Sequence, residues 1–241
     1  MPPKTTPDDL QQKVALVTGA GRGIGAALAM RLAKDGMHVV LTARTASELE
    51  AVEEAIFEAG GNATIAPLDL TESDSIARLA TAIAQRWNRL DLLVLNAAML
   101  GNLSPVTAID GKELNKLLTL NIVAQQSLIA NFDPLLRRSD AGRLIALTSS
   151  VGQTPRPYWG AYGASKAALE VLVQAYAQEV KRLSPIRAAI IDPGATRTKM
   201  RENAYPGEDP ETVKPPEVVA DAVAALLASG FETGHRMRVE G

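Results

Sequence analysis

The sequence predicts a doubly wound α/β fold, in which helices cover both faces of one mostly parallel, seven-stranded sheet. Short apolar runs alternate along the chain with longer segments of helical periodicity, and strands separated by helices in this way pair in parallel. Some of the runs, such as residues 90–95, are apolar at almost every position, which is typical of strands buried on both faces.

The first half of the sheet is predicted from four apolar runs and the helical segments between them. The first run leads through a glycine-rich turn into a helix, and two later helices begin with the spacing of a capping box, Thr45 with Glu48 and Thr71 with Asp74. The predicted strands cover residues 13–18, 37–43, 63–67 and 90–96, and the helices cover 23–35, 46–59 and 72–87.

The second half repeats the alternation with longer helices. Asp110 and Glu113 again have the spacing of a capping box, and Pro215 and Pro216 suit the first turn of the last helix. The predicted strands cover residues 142–148, 186–191 and 235–239, and the helices cover 110–138, 160–182 and 215–229.

The chain of 241 residues, of which 46% are hydrophobic, is long enough to bury one sizeable core. We expect a single domain over residues 12–241, with no internal linker. Residues 1–11 contain three prolines and several charges but little apolar surface, so we expect a flexible tail there.

Composition and charge argue against several kinds of partner. The formal net charge is −2 and no basic block is present, which argues against nucleic acid. No apolar run approaches the roughly 20 residues of a membrane span, and the start has no signal-peptide core, so we expect a cytoplasmic protein without a membrane partner. The absence of cysteine excludes disulfides, and two histidines, His38 and His235, argue against a metal site.

A glycine-rich motif, Thr18-Gly-Ala-Gly-Arg-Gly-Ile-Gly25, lies between the first strand and the first helix. Gly19 permits a tight turn, while Gly23 and Gly25, on either side of Ile24, let the backbone approach a ligand and let the helix pack on the strand. The free N–H groups at the helix start favour phosphate, as in Rossmann-type dinucleotide sites. The alternatives are a loop needed only for packing and a methyltransferase loop.

The cofactor predicted from the residues around this motif is NADP(H) rather than NAD(H). An acidic residue after the second strand would bind the ribose 2′-hydroxyl of NAD, but this chain has Ala43 there, followed by Arg44. Arg44 and Arg22 of the glycine loop suit a 2′-phosphate, because guanidinium groups bind phosphate bidentately. The alternative is that both arginines are ordinary solvated charges.

Tyr162 and Lys166 lie four residues apart in a predicted helix and therefore share a face. An ammonium beside the phenol would lower the tyrosine pKa, and an upstream hydroxyl such as Ser149 would hold a carbonyl oxygen while Tyr162 protonates it. Taken alone, the pair is more typical of a surface lysine lying along its helix, so the hypothesis depends on the glycine motif.

Together the motifs resemble the classical short-chain dehydrogenase/reductase family. The family pattern is matched in order by residues 18–25, Asn96-Ala97-Ala98, Asn121, Ser149, Tyr162, Lys166 and Asp192-Pro193-Gly194. The resemblance extends from about residue 13 to the C-terminus. Ala98 stands where the family has glycine, and its methyl group is expected to crowd the backbone near the nicotinamide ribose.

The resemblance implies the catalytic roles. Ser149, selected by family spacing over Thr148 and Ser150, polarises the carbonyl, and Tyr162 acts as acid or base. Lys166 lowers the tyrosine pKa and binds the nicotinamide ribose, while Asn121 holds a water that relays protons. An ordinary surface asparagine is the alternative for Asn121.

The resemblance also implies the remaining cofactor contacts. These are Asp69 at the adenine, Asn96 and Ala97 along the cleft, and Pro193, Gly194 and Thr196 at the nicotinamide. A loop or capping role is the alternative for Asp69, and a plain turn is the alternative for Pro193-Gly194.

The resemblance implies a small-molecule carbonyl or secondary alcohol substrate, as for a carbonyl or 3-oxoacyl-type reductase. A cofactor-binding sensor or scaffold without turnover is the other function class. We expect an apolar pocket walled by Met99, Leu100, Tyr158, Trp159 and Met200, and a mobile lid over residues 196–215. The helix face opposite Tyr162 carries small apolar residues where charges are expected, which predicts a homodimer or homotetramer formed through Ala164, Ala168, Val171 and Ala175.

Overall fold

Seven strands form one sheet in the order β3-β2-β1-β4-β5-β6-β7, and every pair of neighbours runs parallel. The computed structural model describes residues 13–240, so the tail expected at residues 1–11 lies outside the described residues. The predicted α/β class is confirmed. The strands are β1 (Val14–Thr18), β2 (His38–Thr42), β3 (Asn62–Ile65), β4 (Leu92–Leu95), β5 (Arg143–Leu147), β6 (Arg187–Asp192) and β7 (His235–Arg238).

Eight α-helices lie within residues 13–240, and a π-helical turn, Thr119–Val123, joins the fourth to the fifth. None of these helices is long and apolar enough to cross a membrane. The helices are α1 (Gly23–Lys34), α2 (Ala46–Glu58), α3 (Ser75–Trp87), α4 (Gly111–Leu118), α5 (Ala124–Leu136), α6 (Gly160–Val180), α7 (Lys199–Ala204) and α8 (Pro216–Ser229).

The helices form one layer on each face of the sheet. Buried residues of α3, α5 and α6 pack with strand residues such as Leu16 and Leu93, whereas α1, α2 and α8 pack with residues such as Val17 and Val94. Neighbouring residues of a strand point to opposite faces, so each strand must be apolar at successive positions to serve both layers. This explains the continuous apolar runs of the sequence.

Two elements differ from the predicted ones. The helix expected over residues 110–138 is divided into α4, the π-helical turn and α5, because five residues from Thr119 adopt the wider turn. In addition, α7 lies in a segment for which the sequence predicted no helix.

Of the three predicted capping boxes, one forms an N-terminal cap. The Asp110 carboxylate accepts hydrogen bonds from two backbone N–H groups of α4. Thr45 occupies the N-cap position of α2 but makes no side-chain capping bond. The prediction for Thr71 is wrong, because Asp74 is the N-cap residue of α3 and Thr71 bonds Asp69 instead.

The sheet order changes direction between β1 and β4. The chain builds outward through β2 and β3 on one side and through β5, β6 and β7 on the other. Loops that leave the carboxyl ends of β1 and β4 therefore diverge, and in sheets of this kind the resulting crevice is where ligands bind.

Candidate active site

A cleft of about 540 Å³ opens at the carboxyl edge of the sheet. It runs from the glycine loop and the end of β2, past the ends of β4 and β5, to α6 and α7. All the catalytic and cofactor residues predicted from the sequence except Asn121 line it: Gly19, Arg22, Gly23, Ile24, Gly25, Arg44, Asp69, Asn96, Ala97, Ser149, Tyr162, Lys166, Pro193, Gly194 and Thr196.

The glycine loop lies close against the end of β4. Gly19 has a φ of +66° and Gly23 a φ of +56°, a region that other residues rarely adopt. A Cβ on Gly25 would lie 2.2 Å from the Gly19 carbonyl oxygen and 2.6 Å from the Asn96 Nδ2. The glycine at position 25 is therefore required by packing within the protein, whatever the loop binds.

Asn96 fastens the end of β4 to the glycine loop. Its Nδ2 donates to the carbonyl oxygens of Thr18 at 2.8 Å and Gly19 at 3.2 Å. The Thr18 hydroxyl in turn accepts from the backbone N–H groups of Asn96 and Ala97, each at 3.0 Å, and donates to Val94. The Asn96 side chain thus holds the loop, while its segment lines the cleft.

At the far end of the cleft, two arginines and two carboxylates lie around the end of β2. Arg44 is exposed, whereas the Arg22 Nη1 lies 3.3 Å from the Glu48 Oε1 in an exposed ion pair. Asp69 accepts hydrogen bonds from the Thr71 backbone N–H and hydroxyl at 2.8 Å and 2.7 Å. The Thr71 hydroxyl, more than the charge of Arg44, holds the pKa of Asp69 below its ordinary value.

Asn121 does not line the cleft but fixes one of its walls. Its Oδ1 accepts from the Met99 N–H at 2.9 Å, and its Nδ2 donates to the Met99 carbonyl at 2.9 Å and to the Ser165 hydroxyl at 3.0 Å. The side chain is 1% exposed, which rules out the alternative of a surface asparagine. It ties the π-helical turn both to the segment after β4 and to α6.

The Ser149 turn packs directly on the backbone of α6. Ser149 begins the 3₁₀ turn Ser150–Gly152, and its Oγ accepts from the Val151 N–H at 3.5 Å. A Cβ on Gly152 would lie 3.0 Å from the Ala167 N, and one on Gly163 would lie 2.9 Å from the Val151 carbonyl oxygen. These two glycines allow the close approach that sets Ser149 beside the helix of Tyr162 and Lys166.

Tyr162 and Lys166 are both buried at the inner end of the cleft. The Tyr162 hydroxyl donates to the Met200 Sδ at 3.8 Å, a weak acceptor, and its ring lies edge-on to Trp159. The Lys166 Nζ donates to the Leu147 carbonyl oxygen at 2.9 Å and lies 5.7 Å from the centroid of the Tyr162 ring.

The predicted lowering of the Tyr162 pKa by Lys166 is not found. Burial raises the pKa of Tyr162, and the Asp192 carboxylate raises it further. Burial likewise lowers the pKa of Lys166 to about 8, against an opposing effect of Glu170. The prediction is wrong because both groups are desolvated and because the ammonium bonds a carbonyl at the end of β5, so the phenol is held in its protonated form.

The turn after β6 closes the cleft beside Tyr162. Gly194 has a φ of +64°, and its N–H donates to the Asp192 carboxylate at 3.0 Å. The Thr196 hydroxyl donates within the same turn, to the carbonyl oxygens of Pro193 at 3.1 Å and Gly194 at 3.3 Å. Pro193 and Gly194 therefore form a turn, which was the alternative to a cofactor contact, and both residues line the cleft.

Comparisons with known proteins assign the chain to one family. The sequence model of the family described as short chain dehydrogenase matches residues 13–209. The chain is a short-chain dehydrogenase. It is an oxidoreductase by family, and it shares 38% identity over 212 residues with an uncharacterised oxidoreductase of Escherichia coli K12, YciK, an alignment that covers 87% of this chain and 83% of YciK.

Solved structures resemble this short-chain dehydrogenase over nearly their whole length. A Pseudomonas syringae structure described as a short chain dehydrogenase has a TM-score of 0.92 at 36% identity, covering 98% of both chains. A Shigella flexneri structure, described as a short chain dehydrogenase complexed with NADP, has a TM-score of 0.91 at 36% identity and covers 97% of this chain and 99% of its own.

The apolar end of the cleft is formed mostly by the residues expected from the sequence. Met99, Leu100, Trp159 and Met200 line it, but the prediction for Tyr158 is wrong, because that side chain is 60% exposed and lies outside the cleft. Tyr158 adopts a φ of 71° at the end of the loop before α6.

Several contacts within the site were not predicted from the sequence. Glu48 pairs with Arg22, Thr198 approaches Gly23, and Met200 is the partner of the Tyr162 hydroxyl. Within residues 13–240 no three histidine, aspartate or glutamate side chains are grouped as metal ligands. Glu48 and Met200 were noted in the sequence, the first in a capping box and the second as a pocket residue, whereas Thr198 carried no signal.

Proposed function

We propose that this short-chain dehydrogenase transfers hydride between NADP(H) and a small apolar carbonyl or secondary alcohol. The observation that carries the proposal is the convergence of Ser149, Tyr162 and Lys166 at the inner end of a cleft that begins at a glycine-rich helix start. A proton donor, a carbonyl-binding hydroxyl and a dinucleotide cradle then share one cavity.

The residues of the cleft fit a dinucleotide phosphate. Gly19, Gly23 and the start of α1 leave backbone N–H groups without side chains in front of them, which suits a pyrophosphate. Arg44 lines the outer end and Arg22 lies beside it, which suits a 2′-phosphate. The Shigella flexneri structure in complex with NADP and an Escherichia coli CFT073 structure in complex with NADPH, at 36% identity and a TM-score of 0.88, support this choice.

The proposed mechanism assigns one task to each buried group. The nicotinamide, when bound, supplies or receives the hydride. Tyr162 donates its proton to the carbonyl oxygen in reduction, and its raised pKa keeps that proton available at neutral pH. Ser149 donates a hydrogen bond to the same oxygen, and Lys166 binds the ribose and holds positive charge near the developing oxyanion.

Asn121 and the apolar residues of the pocket position the substrate and the reacting groups. Asn121 holds the wall that contains Met99 and, by family resemblance, orders a water for proton relay. Met99, Leu100, Trp159 and Met200 favour a substrate without charge near its carbonyl. The cytoplasmic location and the single domain over residues 12–241 stay predictions from the sequence.

NADPH oxidation across a panel of apolar ketones and aldehydes, with secondary alcohols and NADP⁺ in the reverse direction, tests the proposal. We expect turnover with several apolar substrates and little with their carboxylate analogues. A protein that binds NADPH tightly but consumes none across the panel would be a sensor or scaffold, and the proposed activity would be wrong.

A further inference from the structure

Glu170 is a buried carboxylate one helical turn after Lys166 on α6, and it is 7% exposed. Burial of an ionised carboxylate is costly unless the group is hydrogen-bonded and paired. Glu170 is both, since its Oε1 accepts from the Thr148 hydroxyl at 2.5 Å and its Oε2 forms an ion pair with Arg236 of β7. No step of the proposed mechanism uses this charge.

The contacts of Glu170 reach both ends of the Ser149 turn. Thr148 lies between Leu147, whose carbonyl accepts from Lys166, and Ser149 itself. Gln153 lies at the other end of the turn. With its side-chain amide turned so that the oxygen faces Arg236, this oxygen accepts a hydrogen bond from the Arg236 Nε at 2.6 Å. We call Thr148, Glu170, Arg236 and Gln153 the Glu170 network.

Few charged groups offset the cost of burying the Lys166 ammonium. Glu170 on the same helix is the carboxylate that favours its ammonium, and burial opposes it, so that its pKa falls to about 8. The other ionisable groups in this region are the Tyr162 phenol on α6, the Asp192 carboxylate on β6, which acts on Tyr162, and the Arg236 guanidinium on β7, which pairs with Glu170. Removal of Glu170 would leave a desolvated ammonium without the carboxylate that favours its charged form.

We propose that Glu170 is a positioning residue of the catalytic centre, which holds the Ser149 turn against α6 and keeps Lys166 charged through its own negative charge. The inference rests on the proposed function, because it assigns Glu170 to the support of that site. Two consequences follow for variants. Loss of the Glu170 charge disfavours the Lys166 ammonium, whereas loss of the Arg236 charge favours it, because Glu170 is then no longer partly neutralised.

The titration of Lys166 itself gives a test that needs no turnover. We would follow the NMR resonance of the Lys166 Cε in the whole protein, identified by its disappearance in Lys166→Met. In Glu170→Gln the midpoint is expected to fall by about one pH unit, and in Arg236→Met it is expected to rise. Glu179→Gln, which removes an exposed carboxylate from the same helix, is the matched control and should leave the midpoint unchanged.

The activity of the same variants tests the positioning role. In Glu170→Gln the alkaline limit of kcat should move to lower pH with the Lys166 midpoint, and kcat should fall more than KM rises. Thr148→Val, which keeps the charge and removes one hydrogen bond, should lower kcat without moving the limit. If Glu170→Gln does not fold, as judged by circular dichroism, Arg236→Met and Thr148→Val still decide the question.

Two results would overturn the inference. One is an unchanged Lys166 midpoint in both charge variants, and the other is a shift in the same direction in both, which would indicate general damage. Failure of the proposed function looks different, because wild-type protein would then show no NADPH turnover although its Lys166 midpoint could still be compared with those of the variants.

Discussion

The hydroxyl of Tyr162 is bonded only weakly within the described protein, to the Met200 Sδ at 3.8 Å. Tyr162→Phe therefore removes little from the fold but removes the proposed proton donor. We expect kcat/KM for reduction to fall by about 10²–10⁴-fold while NADPH affinity stays within a factor of about two, because general acid catalysis contributes on this scale. Steady-state kinetics and a cofactor fluorescence titration measure the two quantities. Activity close to that of the wild type would show that another group donates the proton.

The charge of Lys166 determines the expected pH dependence. Its pKa is lowered from 10.5 to about 8, so the ammonium is present at neutral pH and is lost as the pH rises through about 8. Tyr162, whose pKa is raised, keeps its proton over the same range. We expect kcat/KM for reduction to be level near neutral pH and to decline above about 8. In Lys166→Arg, which does not titrate there, the rate should be lower and the decline absent. A wild-type rate that rises through this range would contradict the assignment.

Glu48, which the sequence indicated only as part of a capping box, lies at the end of the cleft proposed for the 2′-phosphate. The sequence identified two arginines and no acidic residue directly after β2, but Glu48, in the first turn of α2, pairs with Arg22 at 3.3 Å. Its position over the glycine loop follows from the packing of α2 against α1, which sequence periodicity does not report. Arg44 thus stays the principal candidate for the 2′-phosphate, and Arg22 is partly neutralised.

Arg44→Ala should weaken NADPH binding by about ten- to a hundredfold and leave NADH binding nearly unchanged, since a charge-assisted phosphate contact contributes about 1.5–3 kcal/mol. Glu48→Gln should strengthen NADPH binding, because it removes a negative charge near the same phosphate. Titration of both cofactors against each variant measures these effects. Equal NADH and NADPH affinities in the wild type would show that the arginines are solvated charges.

At the scale of single elements, the sequence predicted one long helix over residues 110–138. The π-helical turn that divides it could not be predicted from the sequence. Apolar residues keep their helical spacing through the π-helical turn, and only Asn121, a poor helix former, indicated something unusual. The wider turn places Asn121 where it bonds both Met99 and Ser165. π-helical turns of this kind are frequent at functional sites, which agrees with the role that we propose for this asparagine.

The segment of residues 196–215 contains more structure than a sequence rich in proline and charge suggested. It forms α7, and Arg201 lies over the Tyr205 ring while pairing with Glu208. The sequence favoured a loosely packed lid because such pairs cannot be identified from spacing alone. The segment nevertheless contacts both ends of the site, through Thr198 at the glycine loop and Met200 at Tyr162.

We predict that this segment closes over bound ligand. Limited trypsin digestion with and without NADPH should show slower cleavage at Arg197, Lys199 and Arg201 in the presence of the cofactor, because local opening precedes cleavage. Cleavage at Arg182, in the exposed turn after α6, is an internal control and should not change. Equal protection at both places, or none at either, would argue against a lid.

At the scale of the whole molecule, the sequence specified the architecture more securely than the site. Apolar strands and amphipathic helices in alternation lead to one parallel sheet with two helical layers, since each surface has to be covered. The close approaches at Gly25, Gly152 and Gly163, by contrast, join segments far apart in sequence. The glycines were visible in the sequence, but their neighbours became known only with the fold.

The outward face of α6 is apolar, whereas a solvent-exposed helix face ordinarily carries charged residues. Ala164, Val171 and Ala175 are exposed here and Ala168 is half-buried. Val171 is 68% exposed, and Val123 on the adjoining π-helical turn is 59% exposed. A second copy related by a two-fold axis would cover this face, because small side chains let two helices approach closely.

We predict a homodimer or homotetramer assembled through this face. Ala168→Arg places a charge at its centre and should dissociate the assembly into monomers, whereas Ala51→Arg, which adds the same charge at an exposed alanine of α2, should not. Light scattering and sedimentation measure the mass of each variant, and thermal unfolding of Ala168→Arg separates dissociation from misfolding. A monomeric wild type, or an Ala168→Arg protein that keeps its full mass, would exclude this interface. Because α6 also carries Tyr162, Lys166 and Glu170, dissociation is expected to lower activity as well, through loss of the neighbour that holds the helix in place.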